Sequence, residues 1–234
     1  MADPSPLSVA FLIFPNITQL DMTGPAQVLS RLGNTKISLV WKDKAPVDTD
    51  AGFPLLPTAT FDEVHEVDIL CIPGGLGTLN LIEDPEVLDW VRRIGATATW
   101  VTSVCTGSLV LGAAGLLDGY KATTHWASHD QLAFFGATPV KARTVIDRNR
   151  ATGGGVTSGI DFALHLAKEI RGEAHARFIQ LAIEYDPQPP FDAGTPERAG
   201  DEMIEAYWSM INANYPGRRD RVKAAAKALG FETD

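Results

Sequence analysis

One cysteine, Cys105, lies where a strand pattern changes to a helix pattern, in the segment 99–112 that reads TWVTSVCTGSLVLG. This order of elements is typical of a nucleophile elbow, a tight turn that presents a reactive side chain. Helical N–H groups beside the thiol favour a thiolate, so we expect the pKa of Cys105 to be lowered. A free cysteine is more often a small buried hydrophobic residue, and that reading fits Cys71, inside a strand pattern. We predict Cys105 to be a nucleophile.

A glycine-rich segment, CIPGGLG at 71–77, follows a neighbouring strand pattern. Its glycines allow backbone N–H groups to turn toward the same edge of the sheet, where an oxyanion needs donors. We therefore predict that Gly75 and Leu76 supply amide donors close to Cys105. The alternative is a generic glycine-rich turn.

Two titratable side chains are candidates for proton transfer. Asp21 follows the first strand pattern, in QLDMTGP, and would enter the crevice at the carboxyl ends of the strands. His125, in ATTHWA, ends another strand pattern, and histidine is the usual base for a cysteine nucleophile. The structural alternatives are a helix N-cap for Asp21 and, for His125, a hydrogen-bonded side chain beside a helix that begins near Ala127. The local sequence leaves both choices open.

The run TGGGVTSG at 152–159 has neither GxGxxG spacing nor the lysine of a phosphate-binding loop. We interpret it as a place of close packing, with Val156 facing the pocket. The residues that we expect to contact a substrate are Gly75, Leu76, His125, Trp126 and Val156. The two cysteines and five histidines form no metal-ligand pattern, so we expect neither a metal ion nor a structural disulfide.

The elements that must position these residues follow from hydrophobic patterning. Short apolar runs rich in β-branched residues alternate with helical patterns, which predicts a mostly parallel sheet. Several of these runs are apolar throughout, as in central strands covered by helices on both faces. The predicted strands are 7–14, 37–41, 67–72 and 99–103. The expected fold is therefore an α/β, doubly wound sheet with helices on both faces.

Capping residues predict the helices. Asp84 followed by Pro85 marks the start of a helix that we expect to end at Gly95, and Thr23-Gly24-Pro25 is typical of a turn. The other predicted helices are 107 to 115 or 119, 158–169, 173–185, 197–214 and 218–229.

A proline-rich segment, 186–196, cannot continue a helix, because proline lacks an N–H donor and restricts the residue before it. We therefore predict an α/β domain over residues 1–190 and a helical C-terminal extension over 191–234. The two helices of the extension are too small for a core of their own, so they should pack on the domain or on a partner subunit.

Composition narrows the function classes. Of 234 residues, 45% are hydrophobic and 21% charged, a profile of a compact globular protein. The net charge of -9 and the absence of a long basic cluster argue against nucleic acid as a partner. The apolar run 7–14 is too short for a bilayer span or a secretory signal, so we expect a cytoplasmic protein without membrane association.

Taken together, these motifs resemble the ThiJ/PfpI branch of the class I glutamine amidotransferase-like superfamily, and within it the isocyanide hydratases. The resemblance covers nearly the whole chain and rests on QLDMTGP, IPGG, VTSVCTGSLVLGAAGLL, ATTHWA, TGGGVTSGIDFAL and PPFDAG. It implies a flavodoxin-like core, a homodimer, no cofactor, and hydration of an isocyanide to a formamide through a Cys105 thioimidate.

The same resemblance implies roles for single residues. Cys105 corresponds to the nucleophile, Asp21 to its acidic partner, Thr106 to a hydroxyl that hydrogen-bonds this acid, and Gly75 to an amide donor. Peptidase-like members have a histidine where this chain has Thr106, so a Cys-His peptidase mechanism is not expected.

Three other functions fit a reactive thiol at an elbow. These are a glyoxalase-like or deglycase enzyme acting on dicarbonyls, a ligand-sensing domain without turnover, and a redox sensor using Cys105. Forty-five residues follow Pro189, whereas a DNA-binding module needs roughly a hundred. We therefore do not expect a DNA-binding regulator.

Overall fold

The structure, a computed structural model, describes residues 5–232. The outer ends of the two predicted parts, residues 1–4 and 233–234, lie outside this range. The strands are β1 (Leu7–Leu12), β2 (Thr35–Trp41), β3 (Val47–Asp48), β4 (Pro54–Leu55), β5 (Ala59–Thr60), β6 (Ile69–Ile72), β7 (Trp100–Val104), β8 (Lys121–Ala122), β9 (Thr138–Pro139), β10 (Thr144–Asp147) and β11 (Arg150–Gly153). The helices are α1 (Gln19–Leu29), α2 (Thr78–Leu81), α3 (Pro85–Thr97), α4 (Gly107–Ala113), α5 (Ser158–Arg171), α6 (Glu173–Ala182), α7 (Pro196–Ala199), α8 (Asp201–Asn214) and α9 (Arg218–Ala228). A 3-10 segment spans Trp126–Phe135.

Seven strands form the central sheet, in the order β10-β11-β7-β6-β1-β2-β5. All neighbours in this sheet are parallel except β10 and β11, which are antiparallel. The middle strand β6 is buried throughout, as predicted from its unbroken apolar sequence. The predicted α/β, doubly wound fold is confirmed.

Strand order reverses between β1 and β6, because the chain passes from β1 to β2 on one side and from β6 to β7 on the other. In such sheets a crevice opens at the carboxyl ends of the strands on either side of the reversal. The loops after β1, β6, β7 and β11 all leave this edge, and they lead to the predicted functional residues except His125 and Trp126, which follow β8.

Helix α3 begins as predicted, since the Asp84 carboxylate accepts hydrogen bonds from the N–H groups of Glu86 and Val87 at 3.1 and 3.3 Å. The predicted end at Gly95 is wrong, because α3 continues to Thr97. Gly95 allows close packing instead: a Cβ atom there would overlap the end of the Leu116 side chain, which would have to shift.

The turn predicted at Thr23-Gly24-Pro25 is also wrong, because these residues lie inside α1. Pro25 cannot donate to the carbonyl four residues earlier, which weakens a helix. Packing against α5 compensates: a Cβ atom on Gly24 would lie 3.2 Å from Ile160, and one on Gly159 would lie 3.0 Å from Pro25 Cδ. Tertiary contact between the two helices outweighs the local preference for a turn.

The C-terminal helices pack on the α/β part of the same chain. Val222 and Ala226 of α9 are fully buried, and the Arg221 guanidinium contacts both Glu83 carboxylate oxygens at 2.8 and 2.6 Å. The helix predicted over 197–214 is divided into α7 and α8 at Gly200, whose φ of 83° is unfavourable for other residues. None of the helices within residues 5–232 has the length and apolarity needed to cross a membrane.

Candidate active site

The predicted strand-turn-helix geometry around Cys105 is present. Strand β7 ends at Val104, Cys105 adopts a left-handed φ of 54°, and α4 begins at Gly107. A non-glycine residue in this region is strained, as in a nucleophile elbow. A Cβ atom on Gly107 would overlap the carbonyl oxygen of Ile72, so the crossing of the elbow over the end of β6 requires glycine.

Hydrogen bonds from two neighbouring segments hold the strained turn. Cys105 N donates to the Gly153 carbonyl at 3.1 Å, and the buried Thr124 hydroxyl donates to the Cys105 carbonyl at 2.7 Å. The Ser108 hydroxyl donates to the Thr123 carbonyl, also at 2.7 Å. The two threonines of ATTHWA therefore support the elbow, a role that the sequence did not reveal.

Asp21 lies in the first turn of α1 and is fully buried. It is not the N-cap, which is Thr18, so this alternative for Asp21 is wrong. Its Oδ2 accepts a hydrogen bond from Gly74 N at 2.9 Å, while Oδ1 has no hydrogen-bond partner within residues 5–232. Burial raises the pKa of Asp21 to about 7, although the bonds from Gly74 and Cys105 act in the opposite direction. The carboxyl can therefore hold or release a proton near neutral pH.

The expectation of a lowered pKa for Cys105 is wrong. Only 6% of this residue is exposed, and its burial raises the pKa of the thiol well above the usual value, with the nearby Asp21 charge adding to the effect. Hydrogen bonds from Thr106 act to lower this pKa, but the loss of hydration outweighs them. Cys105 is therefore a thiol at neutral pH and needs a proton acceptor to become a nucleophile.

Thr106 does not bond to Asp21 as the resemblance implied. Its Oγ1 accepts from Gly75 N at 3.0 Å and lies 3.2 Å from the Thr78 hydroxyl. Gly74 lies between Thr106 and Asp21: a Cβ atom on Gly74 would come within 2.6 Å of Thr106 N and 2.8 Å of Asp21 Oδ2. The Gly75 N–H is consequently occupied by Thr106, which differs from its predicted role as a free amide donor.

His125 adopts the structural alternative described above. Its Nδ1 accepts a hydrogen bond from Ala127 N at 3.3 Å, at the start of the 3-10 segment. Burial, followed by the charge of Arg218, lowers the pKa of His125 to about 4. Because its pKa is low, the neutral imidazole of His125 is a weak base and a poor acceptor for the proton of Cys105.

A cavity of about 190 Å³ opens in front of the elbow. Of the predicted site residues, Gly75, Leu76, Cys105, Thr106, His125 and Val156 line it. Asp21 lies behind Cys105 and is absent from the lining, and so is Trp126, which packs against Tyr207 with ring centres 4.7 Å apart. The residues that sequence reasoning missed are Thr18, Asp50, Thr78, Leu79, Leu109, Ser128, Gln131, Tyr207, Ile211 and Arg218.

Several of the missed residues come from distant segments. Tyr207 and Ile211 belong to α8 and Arg218 to α9, so the C-terminal helices complete the cavity of their own chain. The small size of the two predicted C-terminal helices indicated that they pack on the domain or on a partner subunit, but not where they lie. Within residues 5–232, no three His, Cys, Asp or Glu side chains are grouped so that they could hold a metal ion.

Comparison with known proteins agrees with this geometry. A sequence model of the DJ-1/PfpI family matches residues 7–169. An isonitrile hydratase of Pseudomonas putida is 53% identical over 96% of this chain and 99% of its own. The crystal structure of a ThiJ/PfpI family protein from Pseudomonas syringae superposes with a TM-score of 0.89 at 43% identity, covering 95% of this chain and 91% of that one.

A more distant relative is the HTH-type transcriptional regulator GbdR of Pseudomonas aeruginosa, 29% identical over 76% of this chain and 50% of its own. The fold is thus shared by enzymes and regulators. Because the family match includes the elbow and the segments that carry Asp21 and Gly75, the chain belongs to the DJ-1/PfpI family.

Proposed function

We propose that this protein is an isocyanide hydratase, which adds water to an isocyanide and releases an N-substituted formamide. The observation that carries the proposal is the similarity, over nearly the full length, to an isonitrile hydratase, isonitrile being another word for isocyanide. A thiol that lines a small cavity, with a buried acid behind it, supplies chemistry that suits this reaction.

In the first step the sulfur of Cys105 attacks the terminal carbon of the isocyanide, R-N≡C. The Asp21 carboxylate accepts the thiol proton as the carbon–sulfur bond forms, and then delivers that proton to the same carbon. The product is a covalent thioimidate, R-N=CH-S-Cys105. The proton of the thiol thus becomes the hydrogen of the new C–H bond, and Asp21 is again a carboxylate.

In the second step a water molecule adds to the thioimidate carbon. Asp21 accepts a proton from this water and passes it to the imine nitrogen as the tetrahedral adduct R-NH-CH(OH)-S-Cys105 forms. Collapse of the adduct breaks the carbon–sulfur bond and leaves R-NH-CH=O, while the hydroxyl proton passes through Asp21 to the Cys105 sulfur. One water is consumed and both side chains return to their starting forms, so we propose that no metal or cofactor takes part.

The raised pKa values of Asp21 and Cys105 support these proton transfers. A carboxyl with a pKa of about 7 can both accept and donate a proton under physiological conditions. A thiol that stays protonated until substrate arrives supplies the proton that the isocyanide carbon requires. We propose that Asp21, and not His125, performs the transfers.

The test is incubation of the purified protein with an alkyl isocyanide in ¹⁸O-labelled water, followed by mass spectrometry. We expect N-alkylformamide with the heavy oxygen in its carbonyl group, and a transient Cys105 adduct with the mass of one isocyanide. If no formamide forms, the hydratase proposal is wrong, and turnover of dicarbonyls or ligand sensing should be measured instead.

We further propose that two copies form a homodimer and that the enzyme acts in the cytoplasm. We also propose that residues 191–234 act as an extension of the domain at 1–190. Large apolar side chains that remain exposed support a dimer, since such groups mark interfaces; they include Phe178, Leu181 and Phe191. Both cysteines are free thiols, as is usual in a reducing compartment.

A further inference from the structure

One wall of the cavity is polar and is formed by side chains of the 3-10 segment and of helix α9. Gln131 and Ser128 of the 3-10 segment face the cavity, as does Arg218 at the start of α9. An isocyanide group is small and has neither a net charge nor a hydrogen-bond donor, so a cation and two further polar side chains exceed what the reacting end of the substrate requires.

Gln131 is buried, with 2% of its surface exposed. Its amide oxygen Oε1 has no hydrogen-bond partner within residues 5–232. Its amide nitrogen donates to no residue in that range either, so this N–H₂ group is available to an acceptor in the cavity.

Arg218 is a cation without a carboxylate partner in the described part of the chain. One of its N–H groups donates to the Ala127 carbonyl at 2.9 Å, and its guanidinium lies 5.5 Å from the centre of the Trp208 ring. Arg218 also shares a side-chain hydrogen bond with Tyr207. A guanidinium has five N–H donors, so donors remain for a ligand in the cavity. The other charged lining residue, Asp50, is held by Thr18 Oγ1 at 2.7 Å.

Building on the proposed function, we propose that Arg218 and Gln131 form a subsite for a carboxylate carried by the organic group of the isocyanide. The guanidinium would bind the carboxylate in the paired geometry that arginine favours, and the Gln131 amide would donate a further hydrogen bond. The carboxylate takes no part in the chemistry at Cys105. It orients the substrate so that the isocyanide carbon meets the sulfur.

The experiment compares two substrates of similar size, isocyanopropanoate with its isocyano group on the terminal carbon, and isocyanobutane. For the wild-type protein we expect kcat/KM to favour the carboxylate by about tenfold or more, since hydrogen bonds to charged groups are strong. Arg218→Met and Gln131→Leu should each reduce this preference, and Arg218→Lys should restore part of it. If one variant does not fold, the other still tests the subsite.

Arg219→Met is the matched control. Arg219 is adjacent in sequence, pairs with Asp130 and lies over the Phe134 ring, and does not line the cavity. Its substitution should leave the preference unchanged. Equal kcat/KM for the two substrates in the wild type, or the same loss of preference in Arg219→Met, would refute the subsite while leaving hydration intact.

Binding of the products separates this proposal from the hydratase reaction. Calorimetry should detect N-formyl-β-alanine, the product of isocyanopropanoate, binding more tightly than N-butylformamide, and Arg218→Met should remove the difference. If neither isocyanide is hydrated but this binding difference is present, the proposed function fails and the carboxylate subsite stands. If the two formamides bind equally, the subsite is wrong.

Discussion

Asp21 and Cys105 face each other across Gly74: a Cβ atom on that glycine would lie 2.8 Å from Asp21 Oδ2 and 2.8 Å from Cys105 Cβ. The absence of a side chain at Gly74 allows a buried carboxyl and a buried thiol to interact directly. Burial raises the pKa of both groups, so the pair keeps at least one proton at neutral pH. This shared proton is the basis of the predictions that follow.

Cys105→Ala should lower kcat/KM for isocyanide hydration by about a thousandfold or more, because the covalent route is removed. Cys71→Ala is the matched control. The Cys71 thiol is also buried, with a pKa raised to about 12, but it lies in β6 and does not line the cavity. Formamide release measured by mass spectrometry distinguishes them; comparable activity in both variants would contradict the nucleophile assignment.

The pH dependence of kcat/KM should reflect the Asp21 carboxyl. Below its pKa of about 7 the carboxyl is protonated and cannot accept the proton of Cys105. Activity should therefore rise as pH increases through about 7, and it should stay high until the pair loses its last proton at alkaline pH. Initial rates from pH 5 to 9 with a neutral isocyanide measure this profile. A rate that falls across pH 6 to 8 would be incompatible with a carboxylate acceptor.

Asp21→Asn should abolish hydration and yet stabilise the fold above neutral pH. In the wild type the folded protein keeps the Asp21 proton up to about pH 7, whereas the unfolded chain loses it near 3.8. The free energy of unfolding should therefore fall as pH rises from about 4 to 7, by up to about 4 kcal/mol. The Asp21→Asn variant has no titrating group at this position, so its free energy of unfolding should not fall in this way.

Urea denaturation of both proteins at several pH values between 4 and 8 checks the effect. The other titrating groups are common to the two proteins, so the difference between their curves isolates Asp21. Parallel curves would mean that Asp21 has an ordinary pKa in the folded protein.

Thr124→Val should weaken the elbow. It removes the hydroxyl that donates to the Cys105 carbonyl at 2.7 Å and leaves that buried carbonyl without its side-chain donor. We expect a loss of about 1–3 kcal/mol in stability together with reduced kcat. Thr123→Val is the control, because it removes only a hydroxyl that donates to the Ala142 carbonyl at 3.0 Å and keeps the backbone carbonyl that accepts from Ser108. Equal kcat in the two variants would show that Thr124 has only a general structural role.

Much of the fold could be predicted because its signals are local. Apolar runs predicted four of the seven strands of the central sheet, β1, β2, β6 and β7, and Asp84 with Pro85 predicted the start of α3. The errors at Gly95 and at Thr23 to Pro25 have a common cause. In both places glycine and proline allow close packing with a residue distant in sequence, Leu116 or Gly159, instead of ending a helix.

The sequence by itself determined the elbow at Cys105 and the convergence of Asp21, Gly75 and Val156 at one edge of the sheet, because parallel strands place their carboxyl ends together. Only the tertiary structure decided the protonation of the site. The pKa values of Asp21, Cys105 and His125 depend on burial and on distant charges, which no local pattern encodes. It also decided the polar wall, because Arg218 reaches the cavity only when α9 packs beside the 3-10 segment that carries Gln131.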